Sequence, residues 1–103
     1  MILVLAMMRD KDHAAFVEAL RGLAHDVVLT QAALKRSATV EELLPVVSVI
    51  WPSVRTCARA GDALAEAREI ARPQDLICVT GSLMLIGEVK ALLRGCGLSP
   101  LRG

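Results

Sequence analysis

Aromatic side chains are almost missing from the 103 residues: Phe16 and Trp51 stand alone, and there is no tyrosine. A chain that is 54% hydrophobic must therefore fill its core with Leu, Val, Ile, Ala and Met. That composition suits a parallel α/β sheet packed by helices and disfavours a β-sandwich. An excess of charge of one sign is missing too, since twelve basic residues face eleven acidic ones for a net +1. With the two signs interspersed there is no electrostatic footprint for nucleic acid or for an anionic membrane, and neither partner is expected.

Long apolar runs are also lacking. The stretch from Met1 to Met8 ends at Arg9-Asp10-Lys11-Asp12, far short of the roughly 20 residues of a membrane span and without a signal-peptide cleavage site. The expected location is cytoplasmic. Cysteine is sparse and odd in number, with Cys57, Cys78 and Cys96 forming no C-x-x-C pair; they read as reduced, structural thiols in a helix, a buried strand and a helix end. His13 and His25 have no Cys, His or carboxylate partners at metal-ligand spacing, so no metal site is expected. Neither a P-loop, nor G-x-G-x-x-G, nor a G-x-S-x-G elbow occurs, which removes the usual means of cradling a triphosphate or presenting a serine nucleophile.

What is present is an alternation of strand and helix signals. Ile2 to Ala6 is a continuous apolar run, as in a strand covered on both faces. Asp12 follows as an N-cap for a helix with Phe16, Val17, Leu20, Leu23 and Ala24 on its apolar face. Asp26 to Thr30 reads as a second strand. Thr39-Val40-Glu41-Glu42 has capping-box spacing and opens a short helix expected to stop at Pro45. Val46 to Trp51, closed by Pro52, reads as a third strand near an edge. A helix from about Thr56 to Ala71 carries Ala60, Ala63, Leu64, Ala67 and Ile70 inward. The run from residue 75 to 80, centred on Leu76-Ile77-Cys78-Val79-Thr80, reads as a fourth strand, turned by Gly81-Ser82 into a last helix bearing Leu85, Ile86, Val89, Leu92 and Leu93. This order predicts one α/β domain over residues 1–103, a three-layer Rossmann-like fold with a mostly parallel sheet.

Ligands of open α/β sheets bind beyond the carboxyl ends of the strands. Two segments fall there. In Met7 to Asp12 a cation stands between carboxylates. At Thr80-Gly81-Ser82 a glycine allows close backbone approach, and Ser82 opens a helix whose free N–H groups attract an anion. Lys11 and the helix start at Ser82 together suit a carboxylate. Each segment alone also has a plain structural role: Asp12 as a cap, Lys11 as a solvated loop lysine, Gly81-Ser82 as a turn.

The same two segments resemble a known family. Val4-Leu5-Ala6-Met7-Met8-Arg9-Asp10-Lys11-Asp12 is similar to the "GMMxDKD" segment of folylpolyglutamate and dihydrofolate synthases, members of the Mur ligase superfamily. Val79 to Lys90, reading V-T-G-S-L-M-L-I-G-E-V-K, is similar to their closing "VTGSLYLVGEVR". Leu29-Thr30, Arg36-Ser37-Ala38, Glu41-Glu42-Leu43 and Ala63 to Ala67 fall where that family has similar signals, so the resemblance covers essentially the whole chain. Ala6 stands where the family has Gly, and Met84 where it has an aromatic. The resemblance implies a carboxy-terminal domain of an ATP-dependent ligase that joins L-glutamate to folate or dihydropteroate. It also implies that Lys11 and Ser82, with Gly81, help hold the incoming glutamate while Asp10 and Asp12 shape the loop beside the nucleotide.

ATP and Mg would belong to the complete enzyme, whose P-loop domain lies amino-terminal; none is expected on this chain alone. The family's "DGAHNP" segment has no counterpart here, so the domain is expected to lack a first strand and helix and to self-associate as a homo-oligomer through an exposed sheet edge or helix face. The other reading is a non-catalytic binding or oligomerisation module that retains the fold.

Overall fold

The computed structural model describes residues 1–33 and 35–81, and within them four short parallel strands and three helices. In chain order these are β1 (Ile2–Leu5), α1 (His13–Ala19), β2 (Asp26–Leu29), α2 (Val40–Val47), β3 (Arg55–Thr56), α3 (Ala60–Ile70) and β4 (Ile77–Thr80). The sheet order is β3-β2-β1-β4. β1 aligns Ile2 with Asp26 and Leu5 with Leu29 on one side, and Ile2 with Ile77 and Leu5 with Thr80 on the other.

Every residue of β1 is buried, which explains why its sequence shows no alternation: both faces are covered by helices. Leu3, Leu5, Val27 and Leu29 point to a cluster with Val17 of α1 and Val40, Leu43 and Val47 of α2. Ile2, Val4, Ala6 and Val28 point the opposite way, onto Ala60, Ala63 and Ala67 of α3. The three-layer α/β expectation therefore holds across the described residues.

Helix starts follow the sequence closely. The Asp12 carboxylate accepts the Ala15 N–H at 3.1 Å. At α2 the box is complete, with the Thr39 hydroxyl accepting from Glu42 N and the Glu42 carboxylate accepting from Thr39 N. Such caps are each worth about 1 kcal/mol. α3 begins later than expected, at Ala60 after Arg59, which provides no side-chain cap. On α1 only Val17 is fully buried, whereas Phe16 and Leu23 stay largely exposed.

One expectation fails. Val46 to Trp51 is not a strand: α2 continues through Pro45 to Val47 and its last turn runs on, with Ser48 N donating to Leu44 O and Trp51 N to Val47 O. Leu43, Val47 and Trp51 recur at helical spacing and enter the core together, and the Trp51 indole N–H donates to the Ala24 carbonyl at 3.1 Å. An interior proline costs a helix about 3 kcal/mol; here its ring is exposed and the three anchors on the opposite side hold the helix together. The third strand is instead the two-residue β3, paired to Val28 and Leu29. Cys57 consequently lies just after a strand, outside any helix, and Cys78 on β4 is half-buried rather than buried. The expected last helix, Ser82 and Cys96 lie outside the described residues.

Candidate functional site at the mouth of strands one and four

β1, β2 and β3 are laid down in one direction across the sheet, and β4 is then added on the far side of β1. The strand order thus reverses between β1 and β4. A crevice opens beyond the carboxyl ends of strands at such a switch point, where ligands of open α/β sheets bind. There the end of β1, from which the Met7–Asp12 loop leaves, meets Thr80 and Gly81. Ala6 N donates to Thr80 O at 3.3 Å, and Gly81 has φ +96° with its α-carbon pressed against the end of β1. A β-carbon on Gly81 would lie 2.1 Å from the Ala6 carbonyl oxygen, so glycine is demanded both by conformation and by space.

The loop after β1 is held from the side. Met8 and Ser37 form an antiparallel bridge, Arg9 N donates to Arg36 O at 2.7 Å, and Ala38 N donates to Met7 O at 2.9 Å. Lys11 N returns to Met8 O at 3.3 Å, closing a turn that leaves the Lys11 side chain exposed. The Asp12 carboxylate is engaged at the start of α1. The His13 ring contacts the Met8 carbonyl through Nε2 at 2.9 Å.

Arg9, directly before Asp10, is not a free cation. Its guanidinium grips Glu42 through two nitrogens, Nη2 to Oε1 at 2.8 Å and Nε to Oε2 at 3.1 Å. It also donates from Nη1 to the Lys35 carbonyl at 2.8 Å and from Nη2 to the Ser37 carbonyl at 3.4 Å. The hydrogen bonds from Arg9, followed by the Thr39 backbone N–H, pull the Glu42 carboxyl down from 4.5 to about 2. In return, the Glu42 carboxylate raises the Arg9 pKa, first by hydrogen bonding and then by charge. Arg9 is thus a clamp joining the β1 loop to the amino end of α2.

Beside that clamp lies an open cleft of about 430 Å³ lined by Arg9, Asp10, Lys35 and Arg36. Residues 35 and 36 lie in the connection from β2 to α2, beyond the carboxyl end of a strand, the position that marks ligand loops. Of the residues expected to form a site, Asp10 and Lys11 lie on the loop after β1, Gly81 lies directly after β4, and Asp12 is committed to a cap. No group of three or more His, Cys, Asp or Glu side chains is placed to hold a metal among the described residues. None of the helices there is long and apolar enough to cross a membrane.

Known proteins agree with this architecture. The chain is 37% identical over 89 residues to a probable bifunctional folylpolyglutamate synthase/dihydropteroate synthase of Haloferax volcanii, spanning 85% of this chain and 10% of that relative. It superimposes on the folylpolyglutamate synthase of Mycobacterium tuberculosis complexed with ADP and AMPPCP, with a TM-score of 0.76 and 27% identity over 88% of this chain and 23% of that one. On E. coli FolC in complex with DHPP and ADP the TM-score is 0.83, with 23% identity over 93% of this chain and 22% of the other, a likeness of fold. The family model described as Mur ligase, glutamate ligase domain, matches residues 1–83, and the chain belongs to that family.

Proposed function

We propose that this chain is the glutamate-binding portion of an ATP-dependent ligase that adds L-glutamate to folate or dihydropteroate, and that it is inactive by itself. The observation that carries the reading is the close approach of Gly81 to Ala6, where the Met7–Asp12 loop leaves β1, at the switch point between β1 and β4. It is supported by the family match and by the folylpolyglutamate synthases it resembles. In this reading Lys11 and the backbone at Gly81 and Ser82 receive a carboxylate of the incoming glutamate through charge-assisted hydrogen bonds. Asp10 shapes the loop between them, and Asp12 fixes α1 behind it.

In a complete ligase of this kind ATP with magnesium would supply the activation of the acceptor carboxyl. These 103 residues contain no glycine-rich phosphate loop, and the described ones bring no metal-ligand cluster together. This chain's part is to position the amino acid and to hold its charge while the bond forms. An open site without the rest of the enzyme stays hydrated, and binding of free glutamate should be in the millimolar range.

The test is an assay of the purified chain with ATP, magnesium, L-glutamate and dihydropteroate, alongside a nuclear magnetic resonance titration with L-glutamate. The expected result is no turnover, with saturable shifts of the Lys11 and Gly81 amides that vanish in Lys11→Ala. Turnover lost in the Lys11→Ala, Ser82→Ala double variant, or amides at Lys11 and Gly81 that ignore glutamate, would overturn it.

A further inference from the structure

The helices on the two faces of the sheet differ in what they show to solvent. α3 turns Asp62, Arg68 and Glu69 outward, as a surface helix should. From Leu43 to Trp51, by contrast, Ser48 is the only polar residue, and a helix that is apolar all round is one that is covered on every side. The core takes Leu43, Val47 and Trp51. Leu44, Pro45 and Val49 stay exposed, Val49 at 74%. The outer side of α1 adds the exposed Ala14, Ala15 and Ala19.

Between the two helices this surface is indented. A groove of about 320 Å³ is lined by Ala14, Val17 and Glu18 on the α1 side and by Pro45, Val46 and Val49 on the other. Glu18 is its one ionisable lining residue, and Arg21 already holds that carboxylate through two hydrogen bonds of 2.8 and 3.0 Å. The groove is therefore electrically neutral and favours an uncharged, apolar surface over an ionic ligand. It is also remote from the mouth of the sheet. The Trp51 indole is anchored on the Ala24 carbonyl just ahead of β2, so the apolar end of α2 lies at the amino ends of the strands, whereas the Arg9–Glu42 clamp sits at the start of the helix.

We propose that the outer face of α1 and α2 docks a second copy of this chain about a two-fold axis set across the two helices. A neutral apolar patch needs a neutral apolar partner, and the same patch on another copy meets that requirement. Val49 stands out beside a hollow, so a two-fold arrangement gives each ridge the other copy's groove, as an isologous contact requires. With the helices antiparallel, Glu18 and Arg21 of one copy stand opposite Arg21 and Glu18 of the other, which adds charge complementarity at the rim. Helices of seven and eight residues are about 12 Å long and pack about 10 Å apart, so the face offers on the order of 400 Å² per copy. That lies at the low end of specific interfaces, and a Kd on the order of 10–100 µM is expected. The proposal is independent of the glutamate-binding reading, since the mouth of the sheet stays open in such a dimer.

The experiment is analytical ultracentrifugation of the 103-residue chain over roughly 5–500 µM, a range that brackets the expected Kd. The parent should pass from monomer to dimer across it. Val49→Asp should weaken association at least tenfold, and its urea midpoint should match the parent because the side chain is mostly exposed. Leu76→Asp, at an equally exposed position just before β4, should leave the dimer intact. Glu18→Arg and Arg21→Glu should each self-associate more weakly than the parent, and a mixture of the two should form a heterodimer tighter than either homodimer. A parent that stays monomeric at the highest concentration would overturn the proposal. So would a dimer that survives Val49→Asp, one lost equally in Leu76→Asp, or charge variants that show no preference for each other.

Discussion

The two faces of the sheet are packed by different means. One is filled by long side chains from two short helices, with Leu43, Val47, Val17 and Trp51 set against Leu3, Leu5, Val27 and Leu29. The other is covered by one longer helix that presents Ala60, Ala63 and Ala67 to Ile2, Val4, Ala6 and Val28. Buried area dominates the first face, at about 25 cal/mol per Å² of apolar surface. On the second, small residues let the α3 backbone lie close to the sheet, and the apolar surface is supplied mainly by the strands. The difference extends to the mouth of the sheet: Arg9, Glu42 and the cationic cleft are tied to α2 on the leucine side, while Ala6 follows the parity of the alanine side and meets Gly81.

Deleting bulk should therefore hurt on one face and adding it on the other. Leu43→Ala is expected to cost about 2–5 kcal/mol, because it empties a completely buried position between α2 and the sheet. Ala63→Leu is expected to cost about 1–3 kcal/mol by forcing α3 away from Val4 and Val28. Urea unfolding of the two variants checks both figures. An Ala63→Leu chain as stable as the parent would break the contrast, since it would mean that α3 has room to spare.

The Arg9–Glu42 clamp gives a sharper, pH-dependent comparison. A carboxyl held at about 2 in the folded chain, against 4.5 when free, contributes stability at neutral pH. That contribution is fully present above about 4.5 and is lost as pH falls towards 2. Asp75 behaves alike between 3.8 and about 2, because it accepts from the Arg72 N–H and then from His25. The Arg9–Glu42 pair is solvated, so its effect is modest and screened by salt. Glu42→Gln should flatten, without abolishing, the fall in stability between pH 4.5 and 2, as measured by denaturant midpoints at several pH values. The residual slope belongs to Asp75 and to Glu18, whose carboxyl is lowered by its hydrogen bond from Arg21. An unchanged slope would show that Glu42 is already free of Arg9 in solution.

Most of this architecture was legible in the sequence wherever a local signal agreed with the global fold. The unbroken apolar run of β1, the cap at Asp12 and the box from Thr39 to Glu42 each specify an element without help from distant residues. Residues 46–51 misled because Val46-Val47-Ser48-Val49-Ile50 is β-branched, follows a proline and alternates, all of which mimic a strand. The helix there is decided by tertiary anchoring of Leu43, Val47 and Trp51, which local propensity does not reveal. At the site, Gly81 was readable because a glycine that closes a strand run has few alternatives. Arg9 was not, because its partner Glu42 lies 33 residues away. Lys35 had no sequence signal beyond its place after a strand, and Arg36 only its part in the family resemblance of Arg36-Ser37-Ala38.

The smallest expected effect concerns the alanine side of the mouth. The Thr30 hydroxyl directly after β2 is completely buried and has no hydrogen-bond partner among the described residues. Its backbone is satisfied through Leu5 O at 2.8 Å, so the side chain contributes a desolvated oxygen and a methyl group. A buried hydroxyl without a partner costs about 1–3 kcal/mol, and replacing it by an apolar group of the same shape removes that cost. Thr30→Val keeps the volume and the β-branched geometry. It should be neutral or stabilise the chain by about 1 kcal/mol in thermal and denaturant unfolding. A clear loss of stability in Thr30→Val would show that the hydroxyl is satisfied in the folded chain, and the alanine face would then contain a polar contact that its composition does not suggest.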